Sequence, residues 1–175
     1  MIHTERIDIH NATMDYVHNL YMSAFPEAER RDWQALISLC ESNPDFEIRV
    51  VRDDDRTVGF ISLWQWSEWR YVEHFAVDAS CRGRGVGADV LRAFLAEGST
   101  PVVLEVEMPV DEMSKRRIEF YRRLGFVLHD GFPYIQPSYG EGRPSLPMCL
   151  MTYGAAADMD LSAVAHLLYH HVYGV

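Results

Sequence analysis

The sequence contains few cysteines and has no excess of positive charge. Its 175 residues include three cysteines, an odd number, far apart and without a Cys-x-x-Cys pair. This pattern argues against a disulfide framework and against a cysteine zinc site, and it indicates a reducing compartment. Sixteen lysines and arginines stand against 26 aspartates and glutamates, a net charge of −10. The acidic balance disfavours general binding to nucleic acid.

Long hydrophobic runs are also missing. No stretch approaches the roughly 18 apolar residues of a membrane span, and the first residues carry no basic segment followed by an apolar one. We therefore expect a cytoplasmic protein without a signal peptide or a membrane segment. The sequence has no internal repeat and no linker, and its length matches a single domain of about 150 residues.

The hydrophobic pattern predicts an α/β fold in which an antiparallel meander is followed by β-α-β units. The predicted elements are a strand over 2–9, helices over 13–24 and from about 29–32 to 42, strands over 46–50, 58–66 and 70–77, a helix over 85–96, a strand over 102–106, a helix over 114–124, strands over 126–129 and 148–153, and a helix over 161–172. Residues 130–147 hold four of the eight prolines, which predicts a long loop.

A glycine-rich turn at residues 82–88 follows a predicted strand and opens a helix. Glycines at 83, 85 and 87 let backbone N–H groups approach a bound group, and a helix N-terminus favours a phosphate there. No Gly-Lys-Ser/Thr follows, which excludes a Walker loop. The pattern Gly83-x-Gly85-x-x-Ala88, with Glu105 about 20 residues on, fits a dinucleotide fingerprint. However, a meander precedes it, whereas that fingerprint belongs in the first β-α-β unit.

Two motifs resemble the GCN5-related N-acetyltransferase (GNAT) superfamily. Residues 82–87, Arg-Gly-Arg-Gly-Val-Gly, are similar to its motif [Gln/Arg]-x-x-Gly-x-[Gly/Ala], and residues 120–126 are similar to its Phe-Tyr-x-x-Leu-Gly-Phe block. The resemblance covers about residues 5–153 and leaves 154–175 as a C-terminal helical extension. It implies a mixed sheet of six to seven strands flanked by helices, with parallel strands 4 and 5 splayed apart for acetyl-CoA.

The resemblance also implies which residues bind the cofactor. The pyrophosphate would lie on the glycine loop, and the pantetheine arm would follow the edge of strand 4 as an added strand would. Ser114 stands where many members of the family carry asparagine. The implied cofactor-binding residues are Phe75, Ala76, Val77, Arg82, Gly83, Arg84, Gly85, Val86, Gly87, Ser114 and Tyr121.

The resemblance implies direct transfer of acetyl to an amine, which requires an acid for the leaving thiolate and a base for the amine. Tyr121 matches the tyrosine that protonates the sulfur in many family members, although it could simply pack. Glu73 is our candidate for the base, because residues beside the splay can reach the acceptor. His74, expected on the opposite strand face, is the alternative. Either side chain could instead be structural.

The acceptor pocket of such enzymes is walled by the segment between the first two helices and by the loop between the last two strands. The candidates there are Phe25, Glu29, Arg30, Trp33, Tyr134, Gln136 and Tyr139. Trp33 and Tyr134 could equally be packing residues. We expect a primary amine of a small molecule as the acceptor. The alternatives are a protein N-terminus or lysine, or a noncatalytic module that only binds acyl-CoA.

Three weaker signals remain. Cys81 precedes a helix N-terminus, but direct transfer needs no covalent step. His166 and His170 are one helical turn apart, yet no acidic partner accompanies them, so we predict no metal site. The tryptophans at 64, 66 and 69 indicate core packing, with a homodimer interface as the alternative.

Overall fold

The computed structural model describes all 175 residues, which form a seven-stranded sheet with helices on both faces. The strands are β1 (Ile2–Arg6), β2 (Phe46–Asp53), β3 (Arg56–Gln65), β4 (Arg70–Val77), β5 (Val102–Glu107), β6 (Val127–Gln136) and β7 (Leu146–Tyr153). The helices are α1 (Met14–Ala24), α2 (Trp33–Ser42), α3 (Val86–Ala96), α4 (Glu112–Arg123) and α5 (Leu161–Leu167). A π-helical turn, Leu168–Tyr173, continues α5.

The strand order is β1-β2-β3-β4-β5-β7-β6, and every neighbouring pair is antiparallel except β4 and β5. This arrangement confirms the mixed sheet expected from the sequence, with the meander first and the parallel pair at its centre. No helix in the structure is both long and apolar enough to cross a membrane.

Two apolar clusters cover the two faces of the sheet. The first lies under α1, α2 and the C-terminal segment and includes Tyr21, Leu36 and Leu168. The second lies under α3 and α4 and includes Val90 and Ile118. Trp64 and Trp69 are buried in the first cluster and Trp66 packs against it, so these tryptophans are core residues, as one of the two interpretations expected.

The parallel strands β4 and β5 separate at a defined point. They pair only over residues 70–72 and 102–104, although β4 continues to Val77 beside β3 and β5 continues to Glu107 beside β7. A β-bulge interrupts β4 at the same point, because Ser62 pairs with His74 and the next residue, Leu63, pairs with Val72. Glu73 is therefore the extra residue of the bulge, and Glu105 is the first residue of β5 beyond the last pair.

The predicted loop over 130–147 was wrong in its first part. Strand β6 continues to Gln136, which leaves only residues 137–145 as the loop. Pro133 is tolerated within this strand for two reasons. Strand β6 is an edge strand, and its pairing with β7 is irregular between His129 and Tyr134, where the missing N–H of proline leaves no ladder partner unpaired.

Candidate active site

A cavity of about 980 Å³ opens where β4 and β5 separate. It is lined by β4, the glycine loop, β5, α4 and the segment after α1. It brings together fourteen of the predicted site residues: Phe25, Glu29, Glu73, Phe75, Ala76, Val77, Arg82, Gly83, Gly85, Val86, Gly87, Tyr121, Gln136 and Tyr139. Five others do not line it: Arg30, Trp33, Arg84, Ser114 and Tyr134.

The glycine loop presents backbone amides to one end of the cavity. Gly83 and Gly85 have φ angles of 73° and 80°, in the left-handed region that favours glycine, and Gly85 is the residue before α3. The first N–H groups of α3 have no acceptor within the helix, and they carry the partial positive charge of its N-terminus. This loop therefore has both the shape and the charge to hold a phosphate group.

The edge of β4 next to the loop is free to accept an extended ligand. Beyond Val72 its peptide groups on the β5 side have no neighbouring strand, because the pairing ends there. Phe75, Ala76 and Val77 lie on this stretch and line the cavity. A ligand with amide groups, such as the pantetheine arm that the resemblance implies, could pair with this free edge as a further strand would.

Arginines surround the same end of the cavity. Arg82, Arg92, Arg116 and Arg123 line it together with the glycine loop, and Arg117 lines the cavity while paired with Glu107 at 2.9 Å. Of these five arginines, the sequence analysis assigned only Arg82 to the site, since the others lie on helical faces that the motifs do not constrain. Guanidinium groups are well suited to phosphate, so this end matches a ligand with several phosphate groups.

Tyr121 lines the cavity from α4 and is half-buried. Its ring packs edge-on against Phe120 and Phe126, with ring centroids 5.2 and 5.6 Å away. Burial raises the pKa of its hydroxyl to about 12. The hydroxyl is therefore protonated at neutral pH, the state that a proton donor needs.

Ser114, in contrast, serves the start of α4. The Asp111 side chain accepts from the Ser114 N–H at 2.7 Å, and the Ser114 Oγ accepts from the Asp111 N–H at 3.2 Å, which together form a capping box. The same Oγ donates to the Asp111 carbonyl at 3.0 Å. The serine is buried and its side chain is already fully occupied. The structure thus gives Ser114 a helix-capping position rather than a place on the cavity wall.

Glu73 does not have the environment of a free base. Its side chain is completely buried, its Oε1 accepts from Arg31 Nε at 2.9 Å, and its Oε2 accepts from Trp64 Nε1 at 2.7 Å. Burial alone would raise its pKa, but Arg31, His74 and Trp64 hold the pKa below its usual value. A carboxylate that forms a buried ion pair and has a lowered pKa is a poor proton acceptor.

His74 is occupied in the same way. The bulge places its ring on the same face as the Glu73 carboxylate, so the expectation that the two lie on opposite faces was wrong. Its Nδ1 lies 3.1 Å from Ser62 Oγ, and its Nε2 lies 2.9 Å from the Glu29 carbonyl oxygen. Burial lowers its pKa. Both ring nitrogens thus have partners, and the imidazole packs between elements.

Glu105 is a candidate base that the sequence analysis missed, because it named this residue only within the dinucleotide pattern. It follows the last β4–β5 pair and lines the cavity. Its Oε1 accepts from the Tyr134 hydroxyl, and the Tyr173 hydroxyl donates to its two oxygens at 2.9 and 2.8 Å. Burial raises its pKa to about 7, although the tyrosine hydroxyls act in the opposite direction. A carboxylate with a pKa near neutrality is matched to proton transfer at pH 7.

Acidic and aromatic side chains line the end of the cavity next to Glu105. Burial and the neighbouring Glu107 carboxylate raise the pKa of Glu29 to about 6. Gln136 donates to the Ala28 carbonyl at 3.3 Å, which joins β6 to the segment between α1 and α2. Phe25 and Tyr139 supply aromatic surface. This end suits a ligand that carries positive charge.

The other predicted acceptor residues support this wall from behind. Arg30 donates to the Phe25 carbonyl at 3.0 Å, and the Trp33 ring stacks on His18 with centroids 4.4 Å apart. Tyr134 is buried and does not line the cavity, and its hydroxyl donates to Glu105.

The weaker signals of the sequence give no further site. Cys81 lines the cavity but is buried, and no three His, Cys, Asp or Glu side chains come together as a metal site.

The model of the acetyltransferase (GNAT) family matches residues 14–126, well over half of the sequence. The chain belongs to the GNAT family of acetyltransferases. A solved structure from Bacteroides thetaiotaomicron that is assigned to this family is 38% identical, with a TM-score of 0.94 and coverage of 99% of both chains. A search of curated proteins gave no match.

More distant acetyltransferase structures share the fold. The ribosomal-protein-S18-alanine N-acetyltransferase of Escherichia coli is 16% identical, with a TM-score of 0.62 over 91% of this chain and 99% of its own. A GNAT acetyltransferase from Elizabethkingia anophelis, solved with acetyl-CoA bound, is 15% identical, with a TM-score of 0.61 over 87% of this chain and 97% of its own. At these identities the likeness concerns the fold alone.

Proposed function

We propose that this GNAT protein transfers an acetyl group from acetyl-CoA to a primary amine of a small molecule. The observation that carries the proposal is the composition of one cavity. A glycine loop with arginines forms one end, a carboxylate with a pKa of about 7 lies at the other, and a protonated tyrosine hydroxyl borders the same space. These are the groups that acyl transfer to an amine requires.

The backbone amides and the positive charge at the cofactor end of the cavity are both suited to acetyl-CoA. The amides at Gly83, Gly85, Val86 and Gly87 would hold the pyrophosphate, and the free edge of β4 would bind the pantetheine arm. When bound, acetyl-CoA supplies an acetyl thioester that an amine can attack. The bound acetyl-CoA in the Elizabethkingia anophelis structure supports this assignment, because the two proteins share the fold.

We assign the base to Glu105 rather than to Glu73. An amine of pKa about 10.4 is almost fully protonated at pH 7, and holding it neutral costs about 4.6 kcal/mol. Glu105 can accept that proton, since it lies at the opening between the strands and its pKa is near 7. Glu73 is excluded from the role by its ion pair with Arg31, which helps to hold its pKa below the usual value.

We assign the acid to Tyr121, in agreement with the motif. Its hydroxyl is protonated at neutral pH and borders the same cavity as Glu105. It can donate a hydrogen bond to the leaving sulfur and thereby stabilise the thiolate, whose conjugate thiol has a pKa of about 8.5. The chain thus offers a proton acceptor on β5 and a proton donor on α4.

The acceptor end favours a small cationic amine. Glu29 and Glu105 line it, and their negative charge attracts a protonated amine before Glu105 deprotonates it. Glu107 also lines the cavity, but it is paired with Arg117 at 2.9 Å. A concave pocket with aromatic walls and a few polar groups is typical of small-ligand sites. A protein amine remains the competing acceptor, since the fold is shared with the Escherichia coli enzyme whose name refers to an alanine of ribosomal protein S18.

The test is a calorimetric titration with acetyl-CoA, followed by a free-thiol release assay. The acceptor panel contains diamines and polyamines, amino acids, aminoglycosides, arylamines and short peptides. We expect binding, and turnover that is greatest with small cationic amines. Turnover greatest with peptides would replace the small-molecule assignment with a protein acceptor. Binding without turnover on any amine would favour a noncatalytic module, and absence of binding would contradict the assignment of the glycine loop.

A further inference from the structure

The C-terminal segment, residues 161–173, is built into the core although it lies outside the region matched by the family model, which ends at residue 126. The Asp160 side chain accepts from the N–H groups of Ser162 and Ala163, which caps the start of α5. Val164, Leu168 and Val172 are buried in the same apolar cluster as α1 and α2. The segment is therefore fixed on the acceptor face of the sheet.

Arg31 ties the end of this segment to the β4 bulge. Its Nη2 donates to the Val172 carbonyl at 2.7 Å, while its Nε donates to Glu73. Its guanidinium also lies 5.2 Å from the centre of the Tyr139 ring. One side chain thus joins the C-terminal segment, the bulge and the loop between β6 and β7.

The last turn of the segment directs Tyr173 to Glu105. It is π-helical, a rare geometry that is frequent at functional sites, and the Gly174 N–H donates to the Tyr169 carbonyl as it ends. The Tyr173 hydroxyl donates to both oxygens of Glu105, and its ring packs against Tyr139 with centroids 5.1 Å apart. The C-terminal segment therefore contacts the carboxylate that we assign as the base.

We propose that residues 161–173 form part of the active site and that Tyr173 is a positioning residue, which holds the Glu105 carboxylate in place to accept a proton from the acceptor amine. This proposal rests on the proposed function, because it presupposes that Glu105 is the base. Tyr173 acts through Glu105 and is not itself required to touch the acceptor.

The surroundings of Glu105 give the direction of the effect. Burial and the negative charge of Glu73 raise the pKa of Glu105. Hydrogen bonds from Tyr134 on β6, from Tyr173 and from Tyr71 on β4 lower it. The Tyr139 hydroxyl also lies close, 3.5 Å from the Tyr173 hydroxyl. Loss of the Tyr173 hydroxyl removes a donor that stabilises the charged carboxylate, so the pKa of Glu105 should rise.

The experiment compares the pH dependence of kcat/KM in the wild type and in Tyr173→Phe, which keeps the ring and its packing. A hydrogen bond to a charged group corresponds to about one pKa unit or more. The acidic limb of this profile is the range in which activity declines as the pH falls. We expect it to move upward by about one pH unit, so that the rate at pH 7 falls severalfold and recovers at high pH. The affinity for acetyl-CoA should stay unchanged.

Tyr153→Phe is the control. It removes a hydroxyl from a residue of β7 that does not line the cavity and keeps the ring, which packs against Phe126 with centroids 5.4 Å apart, so its pH profile should match the wild type. A Tyr173→Phe profile that also matches the wild type, or a loss of activity that is equal at every pH, would overturn the proposal.

Glu105→Gln separates this proposal from the one on which it rests. If Glu105→Gln keeps the acidic limb, the assignment of the base fails and the role of Tyr173 fails with it. If Glu105→Gln removes the limb while Tyr173→Phe leaves it in place, only the role of Tyr173 is refuted.

Discussion

The two ends of the cavity are constructed differently. The cofactor end is formed largely by one contiguous stretch, residues 82–88, together with the free edge of the preceding strand and a ring of arginines. The acceptor end combines Glu29, Glu105 and Tyr139 with Tyr173, residues from four distant parts of the chain, and its ionisable side chains are mainly acidic. The comparison teaches that the proposed cofactor site, made of backbone amides, is encoded locally, whereas the proposed proton-transfer site depends on tertiary packing.

The largest effect is expected at the acceptor end, from Glu105→Gln. Removal of a general base typically lowers kcat by about 10²- to 10⁴-fold. The affinity for acetyl-CoA should be unchanged, because Glu105 belongs to the other end. Steady-state kinetics and calorimetry measure the two quantities separately. Glu119→Gln, at an exposed position on α4, is the matched control and should behave as the wild type. A strong loss of cofactor affinity in Glu105→Gln would remove the distinction between the two ends.

Glu73→Gln should act mainly on stability. It breaks a buried ion pair and leaves Arg31 without its partner, which typically costs about 3–5 kcal/mol of unfolding free energy. Chemical denaturation measures this loss. Where the variant is folded, its pH profile should retain the acidic limb of the wild type. Disappearance of that limb in Glu73→Gln, with normal stability, would return the role of the base to Glu73.

Tyr121→Phe tests the group between the two ends. We expect kcat to fall by about 10²-fold, at the low end of the range for proton-transfer groups, because the leaving sulfur loses its hydrogen-bond donor. Acetyl-CoA should bind with almost unchanged affinity, since the ring remains. Single-turnover kinetics with the best amine of the panel checks the chemical step. A wild-type rate would reduce Tyr121 to a packing residue.

The smallest effect is expected at the cofactor end, from Gly85→Ala. The residue has a φ of 80°, where a Cβ costs roughly 1–2 kcal/mol. Relaxation of this strain would move the amides of the loop, so the affinity for acetyl-CoA should fall by about tenfold or less while kcat changes little. Gly131→Ala is the control, because that residue has open space around it and no positive φ. Wild-type affinity in Gly85→Ala would contradict the phosphate-binding assignment.

The parts of the molecule that the sequence analysis predicted are those with local signals. The alternation of apolar residues in β2, β3 and β4, the glycines of the loop and the Phe-Tyr-x-x-Leu-Gly-Phe block all lie within short stretches. They were sufficient for the order of the elements, for the parallel pair at the centre of the sheet and for the fold class.

The parts that were missed depend on contacts between distant residues. The bulge at Glu73 places the His74 side chain on the opposite face from the one expected, and the alternation of apolar residues in β4 does not predict the bulge. The ion pair of Glu73 with Arg31 joins residues 42 positions apart, and the hydrogen bond of Tyr173 to Glu105 joins residues 68 positions apart. Glu105 did leave one signal, an acidic residue within a buried apolar strand, which is costly without a function or a partner.

The most direct test of the account is the pH dependence of kcat/KM in the wild type and in Glu105→Gln, measured with the best amine of the panel. The carboxylate must be deprotonated to accept a proton, so activity should decline as the pH falls through the pKa of Glu105, about 7. Glu105→Gln should lose this limb together with most of its activity. An acidic limb that persists in Glu105→Gln would contradict the account.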